Sequence, residues 1–221
     1  MKSLSAVVVL VSLSFGTNLP LFGQPPQQEK LVFQNEYVRV FEVNLNPGVK
    51  LPSHQTGDRL IYSLNSYSLT YRWDGRATEE RRKTGDIHFH PAGKHAEENP
   101  GKQKASFLII ERTSTPLPPG EQTGIDMAKA SPFNTRVLFD RDLAKVFEVK
   151  FLPHDAVGMH LGLPRLVYAL TPFDLVIKTP DGKEMKESSK KGTFRWHPAG
   201  MHSAENRTTA PTSLLVFGFK R

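Results

Sequence analysis

The chain has 221 residues, 38% of them hydrophobic, with 29 Lys and Arg against 22 Asp and Glu and no cysteine. That length suits one large domain or two of roughly 90–100 residues, and the missing Cys excludes disulfides, thiolate metal sites and a lipidated N-terminal cysteine. A mean hydropathy of -0.39 argues against an integral membrane protein. The net charge of +7 reads as a solvated basic surface: Arg81-Arg82-Lys83 and Lys190-Lys191 lack the interleaved aromatics of a nucleic-acid site, so no nucleic-acid partner is expected.

In chain order, Met1-Lys2 is a short positive start and Ala6–Leu13 an apolar core, too short for the ~20 residues that span a bilayer. Residues 1–23 are therefore read as a secretory signal peptide. The mature protein is expected to be secreted or periplasmic, with no membrane span once the signal is removed. Gln24–Lys30 is a polar lead-in. Tyr37–Leu45 alternates like a strand, with Phe41, Val43 and Leu45 on one face. Pro47-Gly48 marks a turn before His54, and Asp74-Gly75 between strand-like runs marks a hairpin. Ala105–Ile110 is an apolar closing strand. Thr113–Asn134 is rich in Pro and Gly, with one helical turn foreseen at Asp126–Ala130, and reads as a linker.

The second half repeats the first. Val40–Val43 returns as Val146–Val149, and His54–Leu64 aligns without gaps on His160–Leu170 (160 − 54 = 106). Asp74-Gly75 returns as Asp181-Gly182, and Ser213–Phe219 closes the copy. Gly85–Asn99 (GDIHFHPAGKHAEEN) returns as Gly192–Asn206 (GTFRWHPAGMHSAEN), with eight of fifteen positions identical. Such a repeat decides the architecture: two tandem all-β units, residues 24–112 and 135–221, joined by a linker at 113–134.

These residues resemble the cupin superfamily in its duplicated, bicupin form. Gly85, Pro91, Gly93, His95 and Asn99 match the family's second motif, as do Gly192, Pro198, Gly200, His202 and Asn206. Gly48 and His54 match the start of the first motif, and His160 does so in the second copy without the Gly. The first motif is degenerate: Thr56 and Gly162 stand where the family has its second His, and no carboxylate occupies the Glu position near Arg59 and Arg165. The resemblance implies two tandem double-stranded β-helix (jelly-roll) barrels. It carries over two metal ligands per barrel, His54 with His95 and His160 with His202. It also implies isomerase, decarboxylase or dioxygenase chemistry, among which the residues do not choose.

All eight histidines lie in the two motif regions, and six form repeat-related pairs: His54/His160, His90/His197 and His95/His202. Each unit thus offers a candidate imidazole triad able to hold Zn, Fe, Mn or Ni. His88 and His90 share one strand face, and Ile87 and Phe89 share the other. Which face looks into the barrel decides between a triad and a pair. Arg59 and Arg165 stand where the family places an anion, and could receive a carboxylate, phosphate or acidic sugar. Tyr62 and Tyr168 complete the candidate substrate-binding set. Glu98 and Glu205 alternate away from the histidines. Two readings stay open: an exported binder of a sugar or organic acid that uses a divalent metal, as an enzyme or otherwise, or a metal-free binding or structural module. Association into homo-oligomers through apolar sheet faces is compatible with both.

Overall fold

The computed structural model describes residues 28–120 and 123–220; the signal peptide read over residues 1–23 lies outside them. The first half holds β1 (Glu29–Gln34), β2 (Val38–Leu45), β3 (Lys50–Thr56), β4 (Arg59–Ser63), β5 (Tyr67–Trp73), β6 (Arg76–Arg82), β7 (Ile87–His90), β8 (Gly93–Glu98) and β9 (Ala105–Arg112). After the helical turn α1 (Met127–Ala130) come β10 (Thr135–Arg141), β11 (Ala144–Phe151), β12 (Ala156–Gly162), β13 (Arg165–Ala169) and β14 (Phe173–Lys178). β15 (Glu184–Ser189), β16 (Phe194–His197), β17 (Gly200–Glu205) and β18 (Thr212–Phe219) complete the chain.

Each half closes two antiparallel sheets over one core. In the first the orders are β1-β2-β9-β4-β7 and β3-β8-β5-β6, and the second repeats them as β10-β11-β18-β13-β16 and β12-β17-β14-β15. The halves are therefore tandem jelly-roll barrels. Phe41, Val43 and Leu45 of β2 point into the first core with Ile61, Leu69, Tyr71 and Phe107. The lead-in turns into structure at Glu29, where β1 pairs with β2.

The repeated motif residues brace these barrels. Gly85 and Gly192 adopt φ of 87° and 81°, a left-handed turn that Gly enters without strain. Asn99 donates from Nδ2 to the Leu45 and Gln103 carbonyls, and Asn206 does the same to Leu152 and Ala210. Both tie a strand end to the loop that follows.

The five-stranded sheets are apolar on both faces, as expected of strands covered on two sides. One face of each fills its own barrel. The other faces meet, packing Val38, Val40, Leu60 and Ile110 against Val146, Leu166, Leu215 and Phe217. Tyr37 stacks on Trp196 across this seam, with ring centroids 5.2 Å apart. Apolar sheet faces that sequence reasoning offered to a second subunit are thus covered within the chain. The linker also contributes to packing: Leu117 enters the seam and Met127 the second core. Asp126 caps α1 by accepting from the Ala128 N–H. Among the described residues no helix is long and apolar enough to cross a membrane.

Candidate metal and ligand sites

Strand pairing builds the first site. β3 and β8 run antiparallel in a register that sets His54 opposite His95. Glu97, two residues beyond His95, shares its inward face and is 3% exposed. Its Oε1 lies 2.9 Å from His95 Nε2. His54 Nδ1 lies 2.9 Å from the Pro52 carbonyl, which can only accept, so the ring's proton sits on Nδ1. That leaves a lone pair on Nε2, which is buried and without a partner. One potential ligand atom from each of His54, His95 and Glu97 falls within 4.8 Å of the others.

His90 also looks into the barrel, but it does not complete this group. It is buried, 5.1 Å from the His95 ring and 4.8 Å from Tyr71 between centroids. Burial, with His95 and Arg59 nearby, pulls it down to about 3, so the ring is neutral. Glu97, rather than His90, is the third potential ligand that lies within 4.8 Å of the other two. Sequence reasoning considered only the neighbouring Glu98, which faces out and pairs with Lys50 and Arg72; the signal for Glu97 was its two-residue spacing from His95. Arg59 is buried beside Glu111 at 3.7 Å and Glu29 at 4.0 Å. Burial pushes Glu29 up to about 7, against the pull of Arg59.

The second barrel repeats the frame with different contents. His160 stands opposite His202, with ring centroids 4.3 Å apart. His160 Nδ1 meets the Gly158 carbonyl at 2.8 Å, and its Nε2 is buried without a partner. His202 Nδ1 meets the Gly200 carbonyl at 3.2 Å, so its Nε2 accepts, and Arg165 Nη2 donates to it at 3.1 Å. Burial and the Arg165 charge hold His202 down at about 2. His197 lies 3.3 Å from Glu187. His160, His197, His202, Arg165 and Glu187 all line a cavity of about 270 Å³ whose walls are otherwise mostly apolar, including Phe151, Val167, Leu175, Ile177 and Met185.

Tyr62 and Tyr168 are set apart from both sites. Along β4 and β13, Arg59 and Arg165 face inward, so the tyrosines three positions on point to the opposite face. Both sit in the seam between the barrels, where burial pushes Tyr62 up to about 12.

No family model and no curated protein matches the chain. Solved structures do. AerE from Microcystis aeruginosa aligns with a TM-score of 0.59 at 16% identity, covering 89% of this chain and 98% of that one. The Bacillus subtilis oxalate decarboxylase, a protein with Mn(II) centres, aligns with a TM-score of 0.56 at 14% identity over 84% of this chain and 69% of that one. The Lactobacillus farciminis oxalate decarboxylase, in a formate complex, aligns with a TM-score of 0.59 at 13% identity over 84% and 78%. The fold is that of a bicupin.

Within this fold, pairing registers identify equivalent positions and show why the barrels differ. Tyr71 pairs with Glu97 in the first barrel, and Ile177 with Ala204 in the second. Trp73 lies against His95 with ring centroids 4.4 Å apart; by the same offset (73 + 106) its place falls to Thr179. A Cβ on Gly93 would come 2.6 Å from the Trp73 ring, whereas one on the equivalent Gly200 would meet nothing within 4 Å. Large residues fill the first barrel where small ones leave the second hollow.

The donor sets differ in the same way. In the first barrel the bare Nε2 of His54 converges with His95 and the Glu97 carboxylate, a nitrogen- and oxygen-rich set that suits a divalent metal. In the second, Ala204 replaces the carboxylate and Arg165 occupies the His202 lone pair. Gly162 makes that possible, since a Cβ there would collide with Arg165 Nη1 and His202 Cε1. The second barrel's residues do not fit a metal.

Proposed function

We propose that this chain is an exported, small-molecule-binding bicupin that uses a divalent metal held in its first barrel by His54, His95 and Glu97. The observation that carries this is the buried, unpartnered Nε2 of His54, converging with His95 and Glu97. Leaving such a polar atom buried and unpaired costs about 1–3 kcal/mol, and a bound cation removes that cost. A divalent ion there supplies a Lewis-acid centre. The chain's own residues prepare the position. The Pro52 carbonyl fixes the His54 tautomer, which is the usual second partner of a metal-binding imidazole. Tyr71 and Trp73 pack on His95 and exclude water. His90 stays neutral beside it, so it adds no repulsive charge.

The test is metal analysis of protein made without a His-tag, stripped and then offered Mn²⁺, Zn²⁺, Fe²⁺ or Ni²⁺. One ion per chain is expected, with affinity falling at least tenfold in Glu97→Gln. Uptake below about 0.1 ion per chain would remove the metal from the account. The likeness to the oxalate decarboxylases favours a second reading, metal-dependent decarboxylation of a small dicarboxylate. Formate release from oxalate by the Mn²⁺-loaded protein supports that reading, and its absence under saturating oxalate ends it.

A further inference from the structure

We infer that the second barrel is a metal-free receptor for a small monocarboxylate with a compact apolar body, whose carboxylate is held by Arg165. This rests on the reading of the chain as a small-molecule binder, and is independent of the metal in the first barrel.

Comparing the two arginines carries the inference. Arg59 lies beside two acids, Glu111 at 3.7 Å and Glu29 at 4.0 Å. Pairing places Arg59 opposite Glu111 and Arg165 opposite Gly218. Glu29 and Thr135 are likewise equivalent, facing Val43 and Val149 respectively. Both acids are therefore gone from the second barrel. Arg165 is 8% exposed, and its hydrogen bonds go to neutral acceptors: the Leu163 and Pro198 carbonyls and His202 Nε2. Among the described residues it forms no salt bridge. Glu187 in the same cavity is near enough to act on its charge but makes no salt bridge with it; a buried charge compensated only from a distance is costly, and its guanidinium keeps a geometry suited to a carboxylate.

The surroundings define the rest of the ligand. Glu187, the acid in the cavity wall, is engaged by His197 at 3.3 Å and Arg195 at 3.8 Å. Burial works to raise it, but the His197 hydrogen bond and the nearby cations hold it below the usual carboxylate range. His160 also lines the cavity, its unpartnered Nε2 buried in the wall. Val149, Phe151, Val157, Phe173 and Leu214 give the cavity an apolar wall. At ~30 Å³ per water-sized group, the 270 Å³ cavity takes on the order of nine heavy atoms, the size of benzoate or heptanoate. A sugar is disfavoured, because that wall offers few partners for ring hydroxyls.

The test is calorimetric titration of the full-length protein with benzoate and heptanoate, beside the neutral benzyl alcohol and heptanol, with metal content measured on each sample. The acids are expected to bind, and the alcohols to bind on the order of tenfold to a hundredfold more weakly. Arg165→Met should lose a similar factor. Because that variant could fail to fold, Thr179→Trp provides a second arm: it installs the ring that fills the first barrel and should abolish acid binding while metal uptake stays unchanged. Equal affinity for acid and alcohol would overturn the inference. So would undiminished binding in folded Thr179→Trp, or no acid binding up to millimolar concentration. Loss of metal uptake with acid binding retained would instead defeat the metal reading alone.

Discussion

The filled and hollow barrels make one stability comparison decisive: the same substitution at repeat-equivalent glycines should have opposite effects. In Gly93→Ala the new Cβ meets Trp73 Cζ3 at 2.6 Å. The ring cannot easily give way, since it packs against His90 at 5.0 Å and His95 at 4.4 Å between centroids. Overpacking of this kind costs about 1–3 kcal/mol. In Gly200→Ala the Cβ enters open space at the cavity and no positive φ is involved, so the smaller entropy of the unfolded chain should stabilise by about 0.4–1 kcal/mol. The two variants should therefore differ by about 1.5–4 kcal/mol, or about 3–16 °C in Tm for a chain of this size. Urea and thermal unfolding followed by tryptophan fluorescence reads this well, because the chain's two tryptophans, Trp73 and Trp196, lie in different barrels. Melting temperatures within about 1 °C of each other would show that the barrels are equally packed, and would refute the reasoning.

Other predictions concern pH. His90 is held at about 3, and His202 at about 2, chiefly by burial, below the ordinary 6.5. A histidine depressed in the fold contributes stability that is complete above pH 6.5 and is lost as pH falls towards the folded value. At pH 5 the His90 share of this loss is about 2 kcal/mol (1.5 units at 1.36 kcal/mol each), so His90→Gln should flatten the stability profile between pH 6.5 and 4.5 in denaturant titrations. Glu29 has the opposite sense, raised from 4.5 to about 7. Its cost is absent below pH 4.5, grows between pH 4.5 and 7, and is complete above. Glu29→Gln in metal-stripped protein should therefore gain up to about 3 kcal/mol at pH 8 and nothing at pH 4; equal gains at both pH values would contradict this.

Much of the fold was legible because the repeated residues are ones with fixed backbone duties. Gly85 and Gly192 need a left-handed turn, and Asn99 and Asn206 tie off strand ends, so their matched spacing carried barrel architecture directly. β1 and β10 were not read as strands: Glu29–Gln34 has no clean alternation, because it lies along a sheet edge with a register shift near Leu31. The site was less legible. Parity along β8 joins His95 to Glu97, but the acid that both copies share is Glu98, with Glu205 its counterpart, and Ala204 stands where Glu97 would repeat. The shared residue is a surface acid, and the unshared one is the donor. Tyr62 and Tyr168 repeat too, but their duty is the seam, and a single strand cannot show which of its two buried faces lines a cavity. The difference between Arg59 and Arg165 was invisible along the chain, since it depends on Glu111 and Gly218 across a sheet.

The central claim is that the duplicated barrels have parted, one keeping a metal site and the other trading it for Arg165. Anomalous diffraction from crystals of the Mn²⁺- or Zn²⁺-loaded protein tests this most directly. One peak is predicted, between His54, His95 and Glu97, with none beside His202. A peak at His160 and His202, or two peaks of equal height, would contradict it.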